Sequence, residues 1–310
     1  MPAEIMYGAQ IKNQWFTPAN IKFAAESWHK ALQMYDIENW LKDNHASSWA
    51  KKVGIIMAGN IPMVGLHDLL CVLAAGHHAM VKLSGQDEVL MRWAIENLKK
   101  TNPSFEITIT DSLKDIDALI ATGSNNSSRY FEYYFKDIPI IIRKNRTSIA
   151  ALNGLETEKE LFALADDIFT HFGLGCRNVT HLLLPKNFEL KPLYEAYDKY
   201  IDIVHHNKYY NNYMYHKSIL LMNLTKHYDN GFMLFQNKTD LHTPISTLNY
   251  HFYNSENEVL DYIAENEADI QCVVSKMPAI SHKIDFGNTQ LPSLNDYADN
   301  VNVLNFLKEI

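Results

Sequence analysis

Lys52-Val-Gly-Ile-Ile-Met-Ala-Gly-Asn-Ile-Pro-Met-Val-Gly65 sets a β-branched apolar run against a turn bounded by glycine and proline. The run predicts a buried strand over 53–57, and the residues beyond the turn an amphipathic helix over 64–75. Reading outward, the same alternation continues with a strand over 79–83, a helix over 89–99, and short strands over 105–110 and 118–121. A helix over 127–135 and a strand over 139–142 complete it. Strands regularly separated by helices predict an α/β fold with a doubly wound parallel sheet, which binds nucleotides at the carboxyl ends of its strands.

Upstream, residues 17–42 carry helical signals. Thr17 reads as an N-cap before Pro18 at the first helical position. Ile21, Ala24, Ala25, Trp28, Leu32 and Tyr35 then recur on one face, and Trp40 and Trp49 are expected to anchor this lead to the body. Downstream, a second unit begins near Ser148. It has helices over 158–171, 190–204, 209–224 and 256–266, and strands over 179–184, 245–253 and 269–275. The aromatic stretch 209–215 is expected in the second core, with an apolar substrate channel as the other use. The tail from Phe286 is rich in Asn and Asp and lacks periodicity until its last turn.

Bulk properties narrow the partners. With 310 residues and a formal net charge of −8, the chain has room for two cores and no electrostatic footprint for nucleic acid. Three widely spaced cysteines suit a reducing compartment. No basic-then-apolar leader opens the chain, and its longest apolar stretch, 65–81, is broken by His67, Asp68, His77 and His78. No membrane span and a cytoplasmic location are therefore expected. The adjacent pairs His77-His78 and His205-His206 lack metal-ligand spacing, so no metal is expected.

The chemistry concentrates in Phe172-Gly-Leu-Gly-Cys-Arg-Asn-Val-Thr-His-Leu-Leu-Leu-Pro185. Cys176 stands there on a glycine-bounded turn between helix and strand, the way an acyl-accepting nucleophile is presented, and Arg177 favours its thiolate. Cys71 and Cys272 read as core positions. Asn60, on the turn after the first strand, can orient an amide toward a developing oxyanion, or can simply be a turn asparagine. Lys82 and Ser84 follow the second strand, where a lysine meets ribose hydroxyls or a 2′-phosphate, or is merely solvated. Gly123 and Ser124 open a helix whose free N–H groups suit a pyrophosphate, an Asn-rich cap being the alternative.

This order of motifs resembles the aldehyde dehydrogenase superfamily, and within it the chain is most similar to the fatty acyl-CoA reductase family of bacterial luminescence, over about residues 50–275. The resemblance implies an aldehyde dehydrogenase-like fold. Residues 1–147 would form a Rossmann-like nicotinamide-cofactor domain with a helical lead, 148–280 a second α/β catalytic domain, and 281–310 a C-terminal return segment. It implies Cys176 as nucleophile, Asn60 in the oxyanion hole, and Lys82, Ser84, Gly123 and Ser124 on the cofactor. Leucine replaces the proline of the family's Lys-Pro-Ser segment. Thr243-Pro-Ile245 corresponds to a segment that places Asp240 near the nicotinamide ribose.

The implied cofactor is NADPH, with NADH also accommodated, and the implied substrate is an acyl-CoA. Superfamily habit implies a homo-oligomer, although no oligomerising hairpin is evident. Aldehyde-oxidising members carry Glu-Leu-Gly-Gly-Lys, whose glutamate activates water, whereas Ile142-Arg-Lys-Asn-Arg-Thr-Ser148 has no acid. Transfer to coenzyme A needs no base for water, which favours acyl-CoA reduction. Aldehyde oxidation, acyl-phosphate reduction, and a catalytically silent nucleotide-binding scaffold are the competing readings.

Overall fold

A computed structural model describes residues 1–42, 47, 49–123 and 125–310, with backbone alone at 35 and 125–127. The chain divides into two compact units, Met1–Asn145 with Pro292–Ile310, and Arg146–Leu291. The segment 281–310 is thus shared between them.

In the first unit, α1 (Ala3–Lys12), α2 (Pro18–Ala31) and α3 (Met34–Leu41) precede the sheet. Thr17 caps α2, its hydroxyl accepting from the Asn20 N–H at 3.2 Å. The helical lead is not continuous over 17–42: it breaks at Leu32, and Gln33 is extended ahead of α3. Alternation then runs β1 (Lys52–Ile56), α4 (Leu66–Ala74), β2 (His78–Lys82), α5 (Glu88–Thr101), β3 (Ile107–Ile109), β4 (Ala118–Thr122), α6 (Asn125–Tyr134) and β5 (Ile140–Arg143). All five strands are parallel in the order β3-β2-β1-β4-β5.

Buried aliphatics on both faces of this sheet, Val53, Ile55, Leu69, Val72, Val81 and Leu90 among them, form its core. Each contributes about 1.5–3 kcal/mol by leaving water. The C-terminal Leu294, Tyr297, Val303, Leu304 and Leu307 join the same core. His67 Nε2 and His77 Nε2 donate to the carbonyls of Leu294 and Leu307 at 2.9 and 3.0 Å, and Trp40 Nε1 donates to the Tyr297 hydroxyl at 2.9 Å. Trp49, expected as a second anchor, is 80% exposed on the coil before β1.

The second unit contains β6 (Thr147–Ala151), α7 (Glu158–Phe169), β7 (Val179–Pro185), α8 (Lys191–Tyr197), α9 (Asn207–Met222), β8 (Tyr228–Asp229), β9 (Leu234–Asn237), β10 (Thr247–Tyr253), α10 (Glu256–Glu265), β11 (Ile270–Ser275) and β12 (Lys283–Ile284). The order β12-β11-β6-β7-β10-β9-β8 makes a seven-stranded sheet, parallel except for the β8–β9 pair at one edge. A capping box opens α7: Thr157 accepts from the Glu160 N–H while the Glu160 carboxylate accepts from the Thr157 N–H. Tyr209 and Tyr213 of the aromatic stretch are buried, whereas Tyr210 and Tyr215 are exposed.

Candidate functional site

In the first unit, the turns at the carboxyl ends of β1 and β2 lie against each other. A Cβ on Gly59 would sit 2.4 Å from Ser84 Oγ, 2.8 Å from Ser84 Cβ and 3.1 Å from the Asp87 nitrogen, so only glycine permits this approach. The Met63 N–H donates to the buried Asp87 carboxylate at 2.8 Å, closing the turn that carries half-buried Asn60. Burial pushes the Asp87 carboxyl well above the usual carboxylate range.

Lys82 is exposed at the last position of β2, directly beside Ile56 of β1, and Ser84 Oγ accepts from the Gln86 N–H at 3.3 Å. Nothing lies within 4 Å of a Cβ position on Gly85, so the turn after Ser84 is open on that side. Gly123 follows β4, but its N–H already donates to the Arg143 carbonyl at 3.2 Å. It is therefore committed to the sheet and is not a free anion donor. Ser124 lies outside the described residues. In a sheet ordered 3-2-1-4-5, β1 and β4 flank the point where connections diverge to opposite faces, the usual nucleotide crevice. Asn60, Lys82, Ser84 and Gly123 all belong to its carboxyl edge.

The second unit builds the Cys176 turn. Past α7, His171, Phe172 and Gly173 take φ of 55°, 59° and 75°, three successive left-handed residues of which two carry side chains. Such backbone costs about 1–3 kcal/mol per non-glycine residue and persists only where surroundings over-determine it.

Those surroundings centre on Asn178, which is fully buried. Its Oδ1 accepts from the Gly175 N–H at 2.8 Å, and its Nδ2 donates to the carbonyls of Asp167, Ile168 and Thr170 at 3.1, 3.2 and 2.9 Å. These are carbonyls that the end of α7 leaves unpaired, so one side chain both caps the helix and holds the cysteine turn. From β6, the Ser148 hydroxyl donates to the Cys176 carbonyl at 3.0 Å and stands 2.9 Å from Cys272 Sγ.

Cys176 is half-buried at the end of this arrangement, with Arg177 next to it. Cys272 is not the core cysteine its apolar neighbours suggest. It is also half-buried, bonded to Ser148, and burial pushes its thiol up to about 11, against the opposing charge of Arg177. Cys71 is buried. A narrow cavity of about 50 Å³ adjoins the strained run, with Phe169, Phe172, Tyr209, Met233, Thr243 and Thr247 on its walls. A larger one, about 620 Å³, opens at the opposite end of β7 around Pro185, Phe188 and Tyr253.

Asp167 supports the turn from behind. It is buried, accepts from the N–H groups of Gly287 and Thr289 at 2.7 and 3.0 Å, and is pushed by burial up to about 6. A carboxyl whose folded pKa exceeds its unfolded value of 3.8 stabilises the fold most at low pH. That contribution is lost as pH rises from about 4 through about 6, and amounts to on the order of 2–3 kcal/mol. Urea unfolding across this window should show the decline in the wild type and a flatter profile in Asp167→Asn; parallel profiles would refute it.

Asp240 is exposed on the loop between β9 and β10, and its carbonyl accepts from His181 Nδ1 at 3.0 Å and Asn249 Nδ2 at 2.8 Å. Asn178, Ser148, Asp167 and His181 escape a reading of the sequence alone. Their one visible signal is a polar residue inside an otherwise apolar or turn-forming run.

No protein-family model matches the chain, and no curated protein matches it. Solved structures do. Aldehyde dehydrogenase C of Pseudomonas syringae, a variant in complex with NAD+ and octanal, is 10% identical with a TM-score of 0.64, over 94% of this chain and 71% of that one. The chain has an aldehyde dehydrogenase-like fold. A Staphylococcus aureus aldehyde dehydrogenase in a substrate-bound state is 16% identical with a TM-score of 0.56, over 93% and 72% of the two chains. The NAD+ complex of a Mycobacterium tuberculosis aldehyde dehydrogenase is 14% identical with a TM-score of 0.55, over 72% of this chain and 56% of that one. The chain thus spans little more than half the length of that last protein. The expected α/β architecture, a doubly wound cofactor-type sheet followed by a second α/β unit, is the one observed. No helix among the described residues is long and apolar enough to cross a membrane.

Proposed function

We propose that the protein is an acyl-CoA reductase that converts an acyl-CoA, of the fatty class, to an aldehyde and free coenzyme A. The observation that carries this reading is the Cys176 turn, a half-buried thiol fixed by Asn178 and Ser148 where helix gives way to strand. Two of these structural neighbours are NAD+ complexes, one of them also with octanal, which supports a nicotinamide cofactor and an aldehyde at the reacting end.

Cys176 attacks the thioester carbonyl as thiolate, forming a carbon–sulfur bond as the coenzyme A sulfur departs and takes up a proton. Arg177 favours the thiolate, and the Cys176 N–H donates to the oxyanion. A reduced nicotinamide, when bound, supplies the hydride that reduces the cysteinyl thioester. Collapse of the resulting thiohemiacetal returns Cys176 and releases the aldehyde. Lys82 and Ser84 would hold the adenosine ribose. The positive charge of Lys82 suits the 2′-phosphate of NADPH, and NADH fits the same edge.

The stretch comparable to the hydrolytic glutamate segment supports reduction over oxidation. It supplies no acid, and its Arg143 is committed to a buried ion pair with Asp68 at 2.7 Å. The Asp167 carboxylate is likewise taken by two backbone amides, leaving it unsuited to activate water. A panel of acyl-CoA chain lengths with NADPH and NADH tests the proposal. Loss of nicotinamide absorbance should match the appearance of free coenzyme A thiol. Oxidation of aldehydes with NAD+ and no dependence on coenzyme A would overturn it.

A further inference from the structure

Four side chains converge on three consecutive carbonyls of the loop that carries Asp240. Tyr262 of α10 donates to the Thr239 carbonyl at 2.9 Å, and Thr180 of β7 donates to that of Leu241 at 3.0 Å. The Asp240 carbonyl takes both His181 Nδ1 and Asn249 Nδ2. Behind His181 stands a second histidine: His181 Nε2 and His251 Nδ1 are 2.7 Å apart, and the Tyr262 ring lies 5.3 and 4.8 Å from the two imidazoles. The strand register explains the meeting, since His181 pairs with Asn249, and His251 lies two residues further along the same face.

Hydrogen bonding fixes the protons. A carbonyl only accepts, so His181 Nδ1 carries hydrogen. In the neutral ring Nε2 must then accept, and His251 Nδ1 must donate. His181 is fully buried, and burial holds its imidazole down at about 4, which keeps the ring neutral in ordinary buffers. The result is a directed chain, from His251 through His181 to the Asp240 carbonyl, in which each ring orients the next.

We propose that His181, oriented by His251, is a positioning residue that fixes the 239–241 segment and so sets Asp240 for the nicotinamide cofactor. This rests on the reading of the protein as a nicotinamide enzyme, but the clamp itself does not. His181→Phe keeps the ring shape and removes both hydrogen bonds. His181→Asn keeps one donor near the Nδ1 position and should rescue.

Fluorescence titration of the full-length protein with NADPH should show His181→Phe binding about tenfold more weakly, with His181→Asn within about twofold of wild type. Binding by His181→Phe within about twofold of wild type would overturn the positioning role. Hydrogen–deuterium exchange over residues 238–244 reads the clamp even if the wild type binds no nicotinamide. Exchange should be about tenfold faster in His181→Phe and near wild type in His181→Asn, and equal rates in all three would end the proposal. Should His181→Phe not fold, His251→Phe, at a half-buried position, serves in its place. It should raise the same exchange rates by about threefold, with no change counting against the relay.

Discussion

Replacing Cys176 by alanine should lower acyl-CoA reduction by at least about three orders of magnitude, because no other group on the turn can form the covalent intermediate. NADPH affinity should stay within about twofold of wild type, since Lys82 and Ser84, proposed to hold the adenosine ribose, belong to the first unit, and the bonds that hold the Asp240 loop come from Thr180, His181, Asn249 and Tyr262. Stability should hold or fall only slightly. Cys176 is half-buried, and the contacts that shape its turn come from backbone atoms, the Gly175 N–H and the Cys176 carbonyl, which alanine retains. Steady-state turnover, a nicotinamide titration and a thermal melt on the same preparation separate these effects. Appreciable turnover in a folded variant would remove the covalent route. Cys272→Ala is the internal control. Its thiol is pushed up to about 11, so it is a poor nucleophile, and its removal should cost less than about tenfold in rate.

The sequence and the structure agree most closely where burial leaves an unbroken signature. The strands of the first unit are apolar runs between turn residues because parallel strands covered on both faces have no polar side to show. Each was legible to within one or two residues of its observed ends. One interior strand of the second sheet, β6, was not. β6 reads Thr-Ser-Ile-Ala-Ala, small and half polar, yet every residue of it is buried. Its Thr147 and Ser148 hydroxyls are bonded across strands, to Thr180 at 2.6 Å and to the Cys176 carbonyl at 3.0 Å. Polar residues satisfied by a neighbouring strand carry no local mark of it. The short strands β8, β9 and β12 lack periodicity because so few residues define a face, and α1 because its apolar residues are spread around the helix, with Ala9 alone buried.

The candidate site divides along the same line. Cys176 stands out because its glycines and its helix-to-strand position are local features. Gly173 does take a positive φ, and Gly59 is required by close approach. What shapes the cysteine turn is long-range. Ser148 reaches it from 28 residues away, and Asn178 reaches back 8 to 11 residues to the end of α7. A sequence scan sees Cys-Arg-Asn and cannot tell that its asparagine is buried.

That asparagine carries the second large expectation. Asn178→Ala should destabilise the second unit by about 2–4 kcal/mol, since it strands three helix-end carbonyls and one amide in a buried site, at about 1 kcal/mol each. The two Nδ2 hydrogens are shared among those three carbonyls at 2.9 to 3.2 Å, so no single contact accounts for the loss. Asn178→Asp discriminates a donor network from simple cavity formation. It preserves volume and the acceptor for Gly175, but it turns a carboxyl oxygen toward three carbonyls and should destabilise at least as much as alanine. A cavity effect alone would leave the aspartate variant close to wild type. The turn should loosen with the helix end. With the left-handed run 171–173 no longer held, iodoacetamide should alkylate Cys176 several-fold faster in a preparation that is still folded, while turnover falls by about a hundredfold as the Cys176 N–H loses its orientation. Urea unfolding, alkylation mapped by peptide mass and kcat at saturating cofactor read the three consequences independently. An Asn178→Ala protein with wild-type stability and wild-type alkylation would show that the turn holds itself, and that Ser148 alone is enough to seat the Cys176 carbonyl.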